Sequence, residues 1–299
     1  MGRRLRGGLV SPVLGLDELP KPVGYVLGGG ASLGAIQVGM LQALSECRVT
    51  PDLVAGTSVG SRNAAVIAAD PKGAVNRLSH AWARMTRDQV FPGGLLAQAL
   101  LLQRVKTHLF PNTGLAAVIT EFVGQATTFA DLTLPFAAVT TDIATARPHV
   151  VRDGPLLPAL LASTAIPGIF PSVDLDGHQL YDGGLVANVP MRQAVEMGAR
   201  SLVVLDCNFP GQLPGSTDTI ADILLYTAMV AMRAQSVLEA PVIAAGIPVV
   251  YLPGPVPRLV SPLDLTHTAA LIEAAYVSAR SFLEQLCITG PGLYGSPSP

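Results

Sequence analysis

The sequence predicts an α/β fold, a three-layer α/β/α sandwich with a mostly parallel central sheet. Short runs of strand-forming residues alternate along the chain with stretches that carry apolar residues at helical spacing, as in βα units. The 299 residues are 49% hydrophobic and only 13% charged, so the chain can bury a large core. No internal repeat or linker interrupts the alternation. We therefore expect one domain over residues 22–288, between a flexible arm (1–21) and a Gly/Pro/Ser-rich tail (289–299) that does not pack.

The strands are predicted from short apolar or β-branched runs, and the helices from apolar residues three or four positions apart. In the first helix Leu33, Ile36, Met40 and Leu44 follow this spacing. The predicted strands are residues 23–27, 53–55, 135–143, 149–152, 178–181, 201–206 and 247–252. The predicted helices are residues 33–44, 59–69, 72–85, 191–198 and 263–286.

Composition and charge exclude several classes of protein. The formal net charge is −2 and no basic stripe is present, so nucleic acid is not an expected partner. No apolar run reaches the roughly eighteen residues of a membrane-spanning helix. Arg3, Arg4 and Arg6 are followed by no apolar core of the length that a signal peptide needs, which favours a flexible arm over a leader.

Cysteine and histidine spacing predicts neither a disulfide framework nor a metal site. The three cysteines lie far apart without a Cys-x-x-Cys pair, and the five histidines are scattered singly. We therefore expect no metal and a reducing, cytoplasmic compartment.

The first candidate for chemistry is the motif Gly-Thr-Ser-Val-Gly, from Gly56 to Gly60. It lies where a predicted strand ends and a helix begins, which is the context of a nucleophile elbow. The turn is sharp, so small flanking residues avoid a clash, and Ser58 would project above the sheet at the positive end of the helix. The same motif is also compatible with a plain strand–helix turn that has a capping serine.

A run of three glycines, Gly28, Gly29 and Gly30, closes the first predicted strand. Backbone N–H groups in such a loop can turn toward an anion at a helix N-terminus, and facing Ser58 they would bind the oxyanion of an acyl intermediate. A dinucleotide site is the alternative, but it expects an acidic residue at the end of the second strand, where this chain has Gly56-Thr57-Ser58.

A third candidate is Asp182, in the sequence Tyr-Asp-Gly-Gly after a short predicted strand. These residues are typical of a turn. They would also place a carboxylate where no neighbouring side chain blocks its approach to Ser58. An ordinary aspartate is a weak base near neutral pH, and burial in an apolar site would raise its pKa toward a useful range.

Together these stretches resemble the patatin-like phospholipase family, in the family's order and over about residues 23–207. The resemblance implies a Ser–Asp dyad on an α/β sandwich, with Ser58 as nucleophile, Asp182 as base and Gly28, Gly29 and Gly30 as the oxyanion hole. It implies no catalytic histidine, no cofactor, and lipid acyl esters as substrates: phospholipids, lysophospholipids or neutral lipids. The stretches that carry it are Leu27 to Leu44, Gly56 to Ala65, Ala162 to Pro171 and Leu180 to Pro190.

The chain departs from the family at Leu33, where the glycine-rich motif usually has Arg or Lys. The backbone donors do not need that side chain, so activity is still expected, but an anionic head group would lose an anchor. Arg62, beside the elbow, could supply the missing cation, although a solvated helix residue is the interpretation that its position favours.

Other interpretations stay open at this stage. A Ser–Asp–His triad would use Ser58, Asp182 or Asp206, and His267. A non-catalytic lipid-binding protein could keep the same fold. The apolar residues of the stretch 93–110 fit a buried helix or a cap that meets lipid. The low charge is compatible with peripheral membrane contact as well as with a large core, and oligomeric state is not indicated.

Overall fold

The computed structural model describes residues 15–91, 107–207, 220–255 and 264–297. Within these ranges the chain forms a sheet flanked by helices. The strands are β1 Val23–Leu27, β2 Leu53–Thr57, β3 Phe136–Asp142, β4 Arg147–Val151, β5 Val173–Leu175, β6 His178–Asp182, β7 Ser201–Leu205, β8 Pro248–Tyr251 and β9 Gly292–Tyr294. The helices are α1 Ala35–Glu46, α2 Val59–Ala69, α3 Ala74–Arg84, α4 Arg87–Val90, α5 Thr113–Val123, α6 Leu156–Ser163, α7 Gly184–Ala187, α8 Met191–Glu196, α9 Ile220–Ala244 and α10 Thr268–Gln285.

Hydrogen-bonded pairs connect the strands in the order β5-β6-β3-β2-β1-β7-β8-β9, and β4 also pairs with β3. Strands β3, β2, β1, β7, β8 and β9 run parallel to their neighbours in this order, while β4 and β6 pair with β3 and β5 with β6 in the antiparallel sense. The predicted fold class is confirmed: a mostly parallel sheet lies between layers of helices.

Alternation along the central strands separates two apolar cores. Tyr25 and Leu27 of β1 face a core shared with α1, α2, α3, α5, α6 and α10. Val26, between them, faces a smaller core shared with α8 and α9. Because successive side chains of a strand point to opposite faces, each central strand is covered on both sides, which explains why these runs are apolar throughout.

Helix α1 is buried on nearly its whole circumference because α10 packs tightly against it. The closest approach is at Gly39, where a Cβ atom would lie 2.1 Å from the carbonyl oxygen of Ile272. A side chain here would force the two helices apart, so glycine allows the contact. Among the described helices, none is long and apolar enough to cross a membrane.

Several elements differ from the sequence-based expectation. The C-terminal tail was expected not to pack, and this is wrong for Gly292–Tyr294, which pairs in parallel with β8. The Gly/Pro/Ser composition of the tail does not predict this strand, which pairs with β8 through its backbone while Leu293 and Tyr294 pack against the two apolar cores. Strand β5 and helices α4, α5, α6, α7 and α9 were not predicted either. The stretch 93–110 lies outside the described residues except for 107–110. The predicted flexible arm (1–21) lies outside them except for 15–21, and in this described part Leu19 is buried in the larger core.

Candidate active site

Ser58 lies at the sharp turn from β2 into α2. Its backbone has φ 55° and ψ −128°, a conformation that is rare for a residue with a side chain and that is associated with functional sites. The turn leaves no room beside it: a Cβ atom at Gly60 would lie 2.3 Å from the carbonyl oxygen of Leu27. A Cβ atom at Gly56 would lie 2.5 Å from that of Gly60. Both glycines of the motif are therefore required by close backbone contacts, as expected for a nucleophile elbow.

The register of the sheet brings Asp182 to Ser58. Strand β4 pairs along one edge of β3. The other edge is shared, because Thr57 of β2 pairs with Val139 and Asp182 of β6 pairs with the next residue, Thr140. The C-terminal ends of β2 and β6 therefore meet along the same edge of β3.

The two predicted catalytic side chains form a direct hydrogen bond. Ser58 Oγ donates to Asp182 Oδ2 at 2.6 Å, and both residues are buried. The second oxygen, Oδ1, accepts from the backbone N–H of Gly184 at 2.8 Å, which fixes the plane of the carboxylate. The hydroxyl of Thr141 donates to the Asp182 carbonyl at 2.8 Å and holds the strand end in place.

Burial raises the pKa of Asp182 to about 6, while the hydrogen bonds from Ser58 and Gly184 oppose the rise. A carboxylate removed from water holds its proton more tightly and is a stronger base when ionised. Near neutral pH Asp182 is therefore mostly ionised and still basic enough to share the proton of a serine hydroxyl. The arrangement can activate Ser58 without a third residue.

Ser163, at the C-terminus of α6, is a site residue that the sequence analysis did not single out. Its Oγ accepts a hydrogen bond from the backbone N–H of Ser58 at 3.0 Å and donates to the carbonyl of Val139 at 2.7 Å. The side chain is fully buried. Ser163 thus connects the elbow to β3. Its place in Ala162 to Pro171, one of the stretches that resemble the family, was the sequence signal that could have identified it.

The glycine loop lies beside Ser58, but two of its three predicted oxyanion donors are engaged elsewhere. The N–H of Gly28 donates to the carbonyl of Leu205 and that of Gly29 to the carbonyl of Asn188, each at 3.1 Å. Gly30 is the predicted donor whose N–H makes no hydrogen bond to another described residue. Gly28 continues the sheet, and this is why its N–H is used there.

Asn188 is a second residue that the motif contained without an assigned role. It is buried, and its Nδ2 has no hydrogen-bond partner among the described residues. A Cβ atom at Gly29 would lie 2.7 Å from Asn188 Oδ1 and 3.1 Å from Ser58 Cβ. Gly29 therefore lies between these two side chains, with no room for a side chain of its own. Asn188 also lines the cavity next to Ser58 and Asp182.

Two cavities meet at Ser58, and their linings are mainly apolar. The smaller has a volume of about 60 Å³ and extends toward Arg62. The larger has a volume of about 260 Å³ and extends over Asp182 and Gly30. Apolar walls of this kind suit hydrocarbon. Side chains that wall the larger cavity are Leu33, Ile166, Leu185, Met229 and Met232.

The histidine and the second aspartate of the alternative triad are engaged with other residues. His267 pairs with Asp264, Nε2 to Oδ2 at 3.5 Å, and is half exposed. Asp206 accepts a hydrogen bond from the hydroxyl of Tyr251. No histidine is among the described residues that line either cavity, and no cluster of metal-ligating side chains occurs within the described ranges.

Arg62 was interpreted from the sequence as a solvated helix residue, and this is wrong. Only 4% of its surface is exposed, because α3 and α5 cover this face of α2. Its guanidinium carbon lies 4.8 Å from the centre of the Trp82 ring and 4.2 Å from that of Phe122. Leu33, which stands where the family usually has a cation, is buried as well and lines the larger cavity.

Comparison with known proteins assigns the chain to a family. The family model described as patatin-like phospholipase matches residues 25–195, more than half of the chain. The chain therefore belongs to the patatin-like phospholipase family, as its motifs indicated.

Similar proteins carry the same family name. Patatin-like phospholipase domain-containing protein 7 of Mus musculus is 35% identical over 188 residues, and protein 6 of Homo sapiens is 34% identical over 187 residues. Each match covers 62% of this chain but only 13% of the relative, so the chain spans a small part of their length. Among solved structures, VipD from Legionella pneumophila has a TM-score of 0.48 and 15% identity, covering 94% of this chain and 71% of that one.

Proposed function

We propose that this protein is a serine lipid acyl hydrolase that cleaves fatty-acyl esters through a Ser58–Asp182 dyad. The observation that carries the proposal is the direct, buried hydrogen bond of 2.6 Å between the two side chains. Membership of the patatin-like phospholipase family supports the same reaction class. No metal or organic cofactor is part of the proposal.

In the first step, Asp182 takes the proton of Ser58 as its Oγ attacks the ester carbonyl carbon. The carbonyl π electrons move onto oxygen and give a tetrahedral oxyanion. When this collapses, the bond to the alcohol oxygen breaks, and that oxygen leaves with the proton held by Asp182. The acyl group is then an ester of Ser58.

In the second step, water attacks the acyl-enzyme. Asp182 takes a proton from the water, a second tetrahedral oxyanion forms, and its collapse releases the fatty acid while Ser58 recovers its proton. The same base serves both steps because its raised pKa lets it accept and return a proton near neutral pH.

Stabilisation of the oxyanion is assigned to the glycine loop. Gly30 can donate without breaking a hydrogen bond to any other described residue. For the three-donor hole that the motif suggests, the N–H of Gly29 would have to leave the carbonyl of Asn188 and that of Gly28 the carbonyl of Leu205. Asn188, whose amide nitrogen has no partner among the described residues, also lines this cavity and is the side-chain donor that we assign beside the loop.

Lipid esters are the proposed substrates, since apolar side chains wall both cavities at Ser58. Related proteins named phospholipase and lysophospholipase agree with this class, the latter including lysophospholipase NTE1 of Mycosarcoma maydis at 30% identity. We propose that the protein is cytoplasmic and contacts membranes peripherally.

A fluorophosphonate that carries an alkyl chain tests the proposal, because it phosphonylates an activated serine. We expect one adduct, on Ser58, located by peptide mass spectrometry. Labelling should be absent in Ser58→Ala and at least about a hundredfold slower in Asp182→Asn, the usual range for loss of a general base. His267→Ala serves as the matched control and should react as the wild type does. A folded wild-type protein that is not labelled at Ser58 would instead favour a lipid-binding protein without activity.

A further inference from the structure

Among the residues that the structure describes, Arg62 is a buried cation that no buried anion accompanies. Among the described residues no carboxylate forms an ion pair with it, and its Nε has no hydrogen-bond partner. One Nη donates to the sulfur of Met85 at 3.5 Å, which is a weak acceptor. Burial alone lowers the pKa of Arg62, to about 9, so the side chain is still charged at neutral pH.

The aromatic rings of Trp82 and Phe122 position the guanidinium. They meet edge to face, with centroids 6.1 Å apart, and the guanidinium lies against both. Cation–π contacts offset part of the desolvation penalty but supply no hydrogen-bond acceptor. A planar group with several donors is therefore held rigidly with its hydrogen-bonding capacity incompletely used.

Arg62 lines the smaller cavity, which also reaches Ser58. With a volume of about 60 Å³, this cavity has room for a group somewhat larger than a water, which needs at least about 10–15 Å³. The larger cavity, of about 260 Å³, is the better fit for a hydrocarbon chain. The remaining lining of the smaller one is largely apolar, and in such surroundings a charge-assisted hydrogen bond is strong.

We propose that the smaller cavity is a subsite for an oxyanion of the ester substrate, a phosphate or a carboxylate, which Arg62 binds beside Ser58. The inference rests on the proposed function and adds a substrate class to it. Two sources share this chemistry: the phosphate of a lipid head group, and a carboxylate at the end of a short acyl chain. Either would give the buried guanidinium the planar or tetrahedral set of oxygens that it fits.

Two pairs of esters distinguish these sources. Lysophosphatidic acid and the monoacylglycerol with the same acyl chain differ by a phosphate on the alcohol side. The mono-p-nitrophenyl ester of adipic acid and p-nitrophenyl hexanoate differ by a carboxylate on the acyl side. For each pair the ratio of kcat/KM, anionic over neutral, is measured in wild type, Arg62→Met, Arg62→Lys and, as the control, Arg84→Met, an exposed arginine on α3.

We expect one ratio to fall by about tenfold or more in Arg62→Met, the loss that one hydrogen bond to a charged group represents. Arg62→Lys should retain part of the preference and Arg84→Met all of it. A fall in the first ratio identifies a head-group phosphate, and a fall in the second identifies an acyl carboxylate. If Arg62→Met and Arg62→Lys leave both ratios unchanged, the inference is overturned.

A binding measurement separates failure of this inference from failure of the proposed function. Inorganic phosphate and adipate are titrated calorimetrically into Ser58→Ala protein, which requires no turnover. Saturable binding that is lost in Ser58→Ala/Arg62→Met, and weakened in Ser58→Ala/Arg62→Lys, supports the subsite even if wild type hydrolyses none of the four esters. Absence of binding by both anions to Ser58→Ala protein, together with inactivity on the anionic esters, overturns it.

Discussion

The hydroxyl of Ser163 accepts a hydrogen bond from the backbone N–H of Ser58 at 3.0 Å, although 105 residues separate the two in sequence. The same hydroxyl donates to the carbonyl of Val139 at 2.7 Å. One buried side chain thus links the end of α6, the elbow and β3. It holds Ser58 in a backbone conformation that the residue would otherwise rarely adopt.

Substituting Ser163 by alanine should weaken both fold and activity. The Ser58 N–H would be left buried without its partner, which costs about 1–3 kcal/mol of unfolding free energy. The elbow would also be less well fixed, and we expect kcat on a short ester to fall by about tenfold or more. Urea unfolding and ester assays measure the two effects. Ser45→Ala, at an exposed position, is the control; equal behaviour of the two variants would show that Ser163 has no such role.

The buried Asp182 should make the folded state less stable as pH rises. Its pKa is about 6 in the folded protein against an ordinary value of 3.8, so between these values the native state holds a proton that the unfolded chain has lost. Stability therefore falls as pH rises through this window. Since one pKa unit corresponds to about 1.4 kcal/mol, the cost at pH 7 is roughly 3 kcal/mol.

Asp182→Asn removes this cost, and the variant should be more stable than wild type at pH 7 while losing activity. The difference should shrink toward zero below about pH 4, where the carboxyl is protonated in both states. Urea unfolding from pH 4 to pH 8 measures it. A difference that does not change with pH would mean that the Asp182 pKa is not raised.

The pH dependence of turnover should follow the same carboxyl group. Only ionised Asp182 can accept the Ser58 proton, so kcat/KM should rise with pH, reach half its maximum near pH 6 and then level off. His267→Ala should show the same profile, because His267 is paired with Asp264 and lines neither cavity at Ser58. A midpoint that shifts in His267→Ala would indicate that a histidine takes part.

Gly60 should tolerate no side chain. A Cβ atom there would lie 2.3 Å from the Leu27 carbonyl oxygen and 2.5 Å from that of Gly28, and neither backbone atom can move without disturbing β1 and the glycine loop. We expect Gly60→Ala to lose about 3 kcal/mol of stability or more. At Gly246 the nearest atom would be 3.8 Å away, so Gly246→Ala should change stability by less than about 0.5 kcal/mol. Denaturant unfolding of both variants tests this contrast.

The sequence predicted the parts of the site that depend on local pattern. Strand β2 ends at Thr57 and α2 begins at Val59, so Ser58 lies at a strand–helix turn as its flanking glycines indicated. Asp182 is the last residue of β6, one residue beyond the predicted end of that strand. That these residues meet depends on pairing between strands distant in sequence. Local pattern does not encode this pairing, and only the family motifs suggested it.

What the sequence did not predict depends on neighbours supplied by tertiary packing. Arg62 is buried because Trp82 and Phe122 come from two other helices, which residue spacing around the elbow cannot show. The N–H groups of Gly28 and Gly29 are occupied because β7 and the segment after α7 present carbonyl groups to them. Gly292–Tyr294 is a strand because the edge of β8 is available for pairing.

The measurement that tests the central claim most directly is hydrolysis of a short p-nitrophenyl ester and of mixed phospholipid vesicles by four proteins: wild type, Ser58→Ala, Asp182→Asn and His267→Ala. A Ser58–Asp182 dyad predicts that wild type and His267→Ala turn over at similar rates and that the other two variants, shown to be folded by circular dichroism, do not. Retention of the wild-type rate by Asp182→Asn, or its loss in His267→Ala, would contradict the dyad.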